Sequence, residues 1–174
     1  SQTLEERGAP YRGARRRSEM ADKHIKKVQE KLEARGNRFA SADDSARFFR
    51  DNFAEEGRYL QLEFGANAEP GTNAIVDIVR SPGIDAISGV GTQINIPRGI
   101  PGGASFHTHP ELIHVRPGFS WGDIQAGRRS GNDSEYVFYG RPLSVGRKWN
   151  IQATSEVEDA AVYHEQNRYA PLFK

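Results

Sequence analysis

His107 and His109 stand two residues apart in the stretch Ser105 to Asp123, SFHTHPELIHVRPGFSWGD. On a strand, side chains at i and i+2 share a face, so both imidazoles point the same way. Their Cα atoms would lie roughly 6.6 Å apart, which lets two ring nitrogens converge on one ion at about 2.0–2.1 Å. Pro110 ends the strand and leaves the pair beside a loop. Downstream, Ser120 reads as the cap of a short helix over 120–128. Asp123 falls in its first turn, where the helix dipole favours a carboxylate that can act as a third ligand. Two His and one Asp leave a fourth tetrahedral position for water, the mark of a catalytic zinc site. Two surface histidines on an edge strand would show the same His-x-His spacing. Of the five histidines in the chain, however, three fall between 107 and 114. Strand end, proline, loop, capped helix and aspartate also follow in the required order, which favours metal.

Other chemistry-bearing residues read as ordinary. His24 lies among lysines on a charged helix face and is expected to be solvated. His164 has Glu158 and Asp159 nearby on a helix-compatible tail. The glycines between 89 and 103 lack the strand-to-helix context of a nucleotide-binding loop and read as turns.

The elements that must position the pair follow from periodicity. Residues 1–17 are polar, contain Gly and Pro, and read as a mobile lead-in. Met20, Ile25, Val28 and Leu32 predict a helix over 18–35, stopped by Gly36-Asn37. Ser41, with Asp44 three residues on, forms a capping box for a second helix. That helix should run to about Glu55 along an apolar stripe of Ala46, Phe48, Phe49 and Phe53. The period then changes to two. Strands are expected at 59–64, 73–79, 104–108, 135–139 and 147–153, with a short one at 92–96. The last two long ones should pair through the turn region 140–146, and a helix is compatible with 156–166. Helices followed by strands predict an α+β (α/β-like) fold, a mixed β-sheet flanked by helices.

Composition bounds the function. At 174 residues the chain suggests one domain, or one domain with an arm, long enough to bury a core unaided. With no cysteine there can be no cysteine zinc ribbon, iron–sulfur cluster, thiol chemistry or disulfide framework. Any transition-metal site must therefore be built from His and carboxylate. No apolar run of about 18 residues exists to span a membrane, and Ser1 to Pro10 has no signal-peptide core. A start at Ser1 suggests a fragment of a longer protein. The formal charge of +1 hides an asymmetry. Residues 1–40 hold 11 basic and 6 acidic side chains, dominated by Arg12 to Arg17. This basic arm and helix are divided from a mildly acidic body over 41–174. The run reads as a solvated linker or as a nucleic-acid or acidic-partner arm.

His107-Thr108-His109-Pro110 followed by Ser120-x-x-Asp123 resembles the JAB/MPN (JAMM) zinc metallopeptidase signature, over roughly residues 41–153. The resemblance implies the cytidine-deaminase-like architecture of that superfamily. It also implies His107, His109 and Asp123 as zinc ligands and Ser120 as the donor that stabilises the oxyanion. The family carries a proton-transferring glutamate at the junction of its first helix and first strand. Glu56 stands at that kind of junction here, with Glu55 as the alternative. The spacer from Pro110 to Gly122 is longer than the family's usual one. A loop over 111–119 absorbs the difference, since loops take insertions cheaply. It leaves His114 as a substitute ligand, a substrate contact or a plain exposed loop histidine. Trp121 would pack over the site or line a substrate groove.

Three functions are consistent with this. The first is a zinc-dependent peptidase or isopeptidase serving as a toxin or effector domain of a larger secreted bacterial protein. It would act in a target cell's cytoplasm on a peptide or protein substrate, with a cognate immunity protein as partner. The second is a metal-dependent toxin acting on nucleic acid through the basic arm. The third is a JAB-like interaction module without catalysis.

Overall fold

The computed structural model describes residues 10–82, 94, 96–97, 100–109, 132–139, 150–151 and 162–164. Helix α1 spans Pro10–Arg35 and helix α2 spans Ala42–Leu60. Strands β1 (Phe64–Ala68), β2 (Ile75–Arg80), β3 (Ala104–His109) and β4 (Ser134–Tyr139) form the body of the sheet. Two short strands, β5 (Asn150–Ile151) and β6 (Val162–His164), both pair antiparallel with β4. The order along the sheet is β2-β1-β3-β4-β5. β1 is antiparallel to β2 and β3, whereas β3 and β4 are parallel. The fold is mixed α+β, as the sequence predicts. No described helix is long and apolar enough to cross a membrane.

α1 begins eight residues earlier than expected, so residues 10–17 are helix and not lead-in. Arginine and alanine are strong helix formers, and a proline at the first position costs little. Arg17, inside the basic run, is buried. Further along, Ala21, Ile25, Val28 and Leu32 place one face of α1 in the same core as α2 and the sheet.

Ser41 caps α2 as predicted, its Oγ accepting from the Asp44 N–H at 3.1 Å. The helix then runs through Tyr59 and Leu60, where a strand was expected. Leu60 fits both periods: it alternates with Leu62, and it also continues the helical face of Phe49, Phe53 and Gly57. Burial of that face decides the outcome, since all four are buried. Gln61 ends the helix in the left-handed region, at φ 58° and ψ 47°. Its N–H reaches the Gly57 carbonyl, and its side chain donates to the Arg58 carbonyl at 2.8 Å.

One sheet face carries Phe64, Phe106 and Phe138. Phe49 meets Phe106 and Phe138 at ring-centroid distances of 5.4 and 5.8 Å, and Phe53 meets Phe64 at 4.9 Å. Each fully buried ring contributes about 1.5–3 kcal/mol. This aromatic layer fastens the helices to one side and leaves the other side of β1, β3 and β4 for polar groups.

The remaining expectations divide. The strands near 73–79, 104–108 and 135–139 occur, shifted by a residue or two. β4 and β5 pair as proposed, although residues 140–149 and 152–153 lie outside the described residues. Ile94 and Ile96 are not in a strand, and residues 92, 93 and 95 lie outside the described residues. Within the tail, Val162–His164 is strand and not helix. Val and Tyr are β-formers, and the ladder on β4 supplies partners that an isolated helix lacks.

Candidate metal centre

β3 lies between β1 and β4, and its alternation sorts the signature residues. Phe106 and Thr108 face the helices. Ser105, His107 and His109 face the other way. Both histidines are buried. Their rings lie 4.9 Å apart at 55°, with Nε2 to Nε2 at 3.0 Å. Two tetrahedral ligands on zinc would stand roughly 3.3 Å apart, given bonds of about 2.0–2.1 Å. The pair thus needs to open by only a few tenths of an ångström to hold an ion between the two nitrogens.

Among the described residues, the carboxylate within reach is Glu63. It is buried, and its oxygen and the two imidazole nitrogens all lie within 4.8 Å of one another. The register explains why. Gly65 of β1 is the partner of His107, so Glu63, two residues earlier, shares the histidine face. The β1–β3 pairing ends at Gly65–His107. Beyond it, two side-chain hydroxyls add to the main-chain bonds from β2. The Phe64 N–H donates to Thr108 Oγ1 at 3.0 Å, and the Glu63 N–H donates to Ser81 Oγ at 2.9 Å. The Ser81 N–H returns a bond to the Glu63 carbonyl at 2.9 Å.

Two glycines let the surroundings close in. A Cβ on Gly57 would stand 3.0 Å from both the Leu62 carbonyl oxygen and Thr108 Oγ1, so its absence lets α2 lie against this junction. A Cβ on Gly65 would meet Ile96 at 2.7 Å and Ile94 at 3.1 Å. Those isoleucines therefore cover the strand beside His107.

A polar chain continues along the same face. Asn132 Nδ2 donates to Ser105 Oγ at 2.6 Å, and Ser105 donates to Asn67 Oδ1 at 2.7 Å. Asn67 donates to Asp77 Oδ2 at 3.2 Å and to the Pro97 carbonyl at 3.0 Å. These bonds satisfy a fully buried amide in mid-sheet and hold Pro97 against it. Glu135, opposite Ser105 in the parallel register, is a second buried carboxylate on this face. Tyr136 faces the helices instead and bonds Asp43. Burial, together with that bond and the Asp43 charge, pushes its phenol well above its ordinary range.

The sequence-predicted site is partly brought together. His107 and His109 meet as expected. Glu55 and Glu56 do not join them, because α2 continues past them and moves the helix-to-strand junction to 61–63. Glu55 is exposed and pairs with Arg58 at 3.0 Å. Glu56 is half-buried and lines a hollow of ≈ 460 Å³ with His24, Lys27 and Asn52, on the helical side of the sheet. His24 is half-buried: its Nε2 lies 2.5 Å from the Asn52 carbonyl oxygen, and its ring stands edge-on to Phe53. His114, Ser120, Trp121 and Asp123 lie outside the described residues. Sequence reasoning missed Glu63. The signal was its place on the polar side of the Leu60, Leu62, Phe64 alternation, one step before Gly65. No family model, curated protein or solved structure matches the chain.

Proposed function

We propose that this chain is a zinc-dependent hydrolase of peptidase or isopeptidase type. The observation that carries the reading is the buried Glu63–His107–His109 group at the end of β3. Two imidazole nitrogens suited to ligate zinc, with a buried carboxylate beside them placed to act on a bound water, fit a catalytic zinc site, and the lack of cysteine leaves no softer alternative. His107 and His109 would hold the ion. The JAB/MPN resemblance adds Asp123 as the third ligand and supports that architecture for the sheet and its flanking helices.

Zinc, when bound, supplies Lewis acidity and lowers the pKa of water to about 7. Glu63 replaces Glu56 as the proton carrier. It takes a proton from the attacking water and returns it to the leaving amine, an effect worth about 10²–10⁴-fold. Its burial keeps solvent from competing for that proton. Ser120 stabilises the oxyanion, worth roughly 3 kcal/mol by analogy with other such donors. The resemblance and the basic run Arg12 to Arg17 support an effector role, with an immunity protein as partner.

The test is incubation of the zinc-loaded protein with a peptide library, plasmid DNA and RNA, beside Glu63→Gln. The expected result is peptide cleavage by the wild type alone, with zinc retained in Glu63→Gln. Loss of zinc from Glu63→Gln would make Glu63 a ligand. Cleavage of nucleic acid alone would replace the peptidase reading with the nuclease one.

A further inference from the structure

Glu63 sits where the β1–β3 ladder has ended, yet a proton carrier must be held to within about 0.5 Å. Two hydroxyls from different strands supply the missing constraint. Ser81, just past β2, takes the Glu63 N–H on its Oγ at 2.9 Å and donates its own N–H to the Glu63 carbonyl at 2.9 Å. Thr108, between the two histidines, takes the Phe64 N–H on its Oγ1 at 3.0 Å. Consecutive peptide N–H groups are thus clasped from both neighbouring strands. Each hydroxyl belongs to a residue only 1% exposed.

Packing alone does not account for these residue types. Thr108 lies on the aromatic face with Phe106, where valine would fill the same space without a buried hydroxyl. A threonine there is explained by the Phe64 N–H that it receives. Ser81 is itself anchored. Its carbonyl accepts from Arg80 Nη1 at 2.8 Å, and Arg80 makes two bonds to Asp22 of α1, at 2.8 and 3.2 Å. The clasp is therefore tied to the helical layer.

Resting on the metal reading above, we infer that Ser81 and Thr108 are positioning residues, holding the Glu63 carboxylate against the histidine pair without touching the ion. Thr108 does so from between the two histidines, so one strand segment sets both the imidazoles and their partner acid. Loss of either hydroxyl leaves a buried N–H unpaired, and the peptide at 63–64 shifts to find another acceptor.

Cobalt(II) added to the metal-free protein gives the test, since its visible spectrum reads the coordination sphere that Glu63 borders. Ser81→Ala, Thr108→Val, Ser81→Thr and Thr108→Ser are compared with wild type and Glu63→Gln for spectrum and cobalt affinity. Melting of each metal-free protein is recorded alongside. Ser81→Ala and Thr108→Val are expected to shift the spectrum toward that of Glu63→Gln. They should weaken cobalt binding no more than Glu63→Gln does, about tenfold at most for the loss of an outer-shell group. Ser81→Thr and Thr108→Ser, which keep the hydroxyls, should retain the wild-type spectrum. Lower melting with wild-type spectra and affinity in both hydroxyl-free variants would overturn the inference and leave the metal reading standing. A wild type that takes up no cobalt would overturn the metal reading, and the positioning role with it. Thr108→Val preserves side-chain shape, so the comparison survives if Ser81→Ala does not fold.

Discussion

Gly65 faces His107 across the last paired rung of β1 and β3, and Ile96 fills the space that a side chain on Gly65 would need. The apolar cover of the sheet and the candidate metal ligand thus meet at a single backbone position. A Cβ placed 2.7 Å from the Ile96 Cδ1 and Cγ1 forces that half-buried side chain to shift. Gly65→Ala is therefore expected to cost about 1 kcal/mol in denaturant unfolding, the low end for overpacking because the side chain it meets can move. Trimming the neighbour in Gly65→Ala plus Ile96→Ala should recover part of that loss. If Gly65→Ala unfolds at the wild-type midpoint, Ile96 does not pack there.

Gly57 sets two effects against each other. Alanine is the better helix former by about 1 kcal/mol. Its Cβ, however, would lie 3.0 Å from the Leu62 carbonyl oxygen, a main-chain atom that cannot swing aside, and 3.0 Å from Thr108 Oγ1. The contact is expected to win, with Gly57→Ala destabilised by about 1 kcal/mol net. A stabilised variant would mean that α2 can back away from β3 freely.

Tyr136 supplies a pH signature unrelated to the site. Its phenol is pushed above the ordinary value of 10.0, chiefly by burial and then by Asp43. Between the unfolded and folded values the native state binds the extra proton, so stability falls as pH rises past about 10. The slope from this one group is up to about 1.4 kcal/mol per pH unit. Below pH 10 the contribution is fully present. Tyr136→Phe should be less stable at neutral pH, having lost the bond to Asp43, yet fall less steeply above pH 10 in the same unfolding series. Parallel curves for the two proteins would contradict the assignment.

The histidine pair was legible because a strand's period of two is local: His107 and His109 share a face wherever β3 sits. The capped start of α2 was legible for the same reason, since Ser41 and Asp44 are three residues apart. The glutamate was not. Whether Glu56 or Glu63 approaches the histidines depends on where α2 ends, and Leu60 satisfied both the helical and the alternating pattern. Burial beside Phe49 and Phe53 decided it, a tertiary effect beyond any local period. The roles of Ser81 and Thr108 were hidden more deeply. Serine after a strand and threonine within one are unremarkable until the sheet register places them on either side of residues 63 and 64. Arg17 and His24 were misread for a related cause, as polar side chains that the packing of α1 draws inward.

Metal content measured directly on purified protein tests the central claim most simply. Wild type dialysed against zinc and then against metal-free buffer is compared with His107→Ala plus His109→Ala. The expected result is about one zinc per chain in the wild type and almost none in the double variant, given a centre built on two imidazole ligands. Equal zinc in the two proteins, with both folded, would contradict a metal centre at the end of β3.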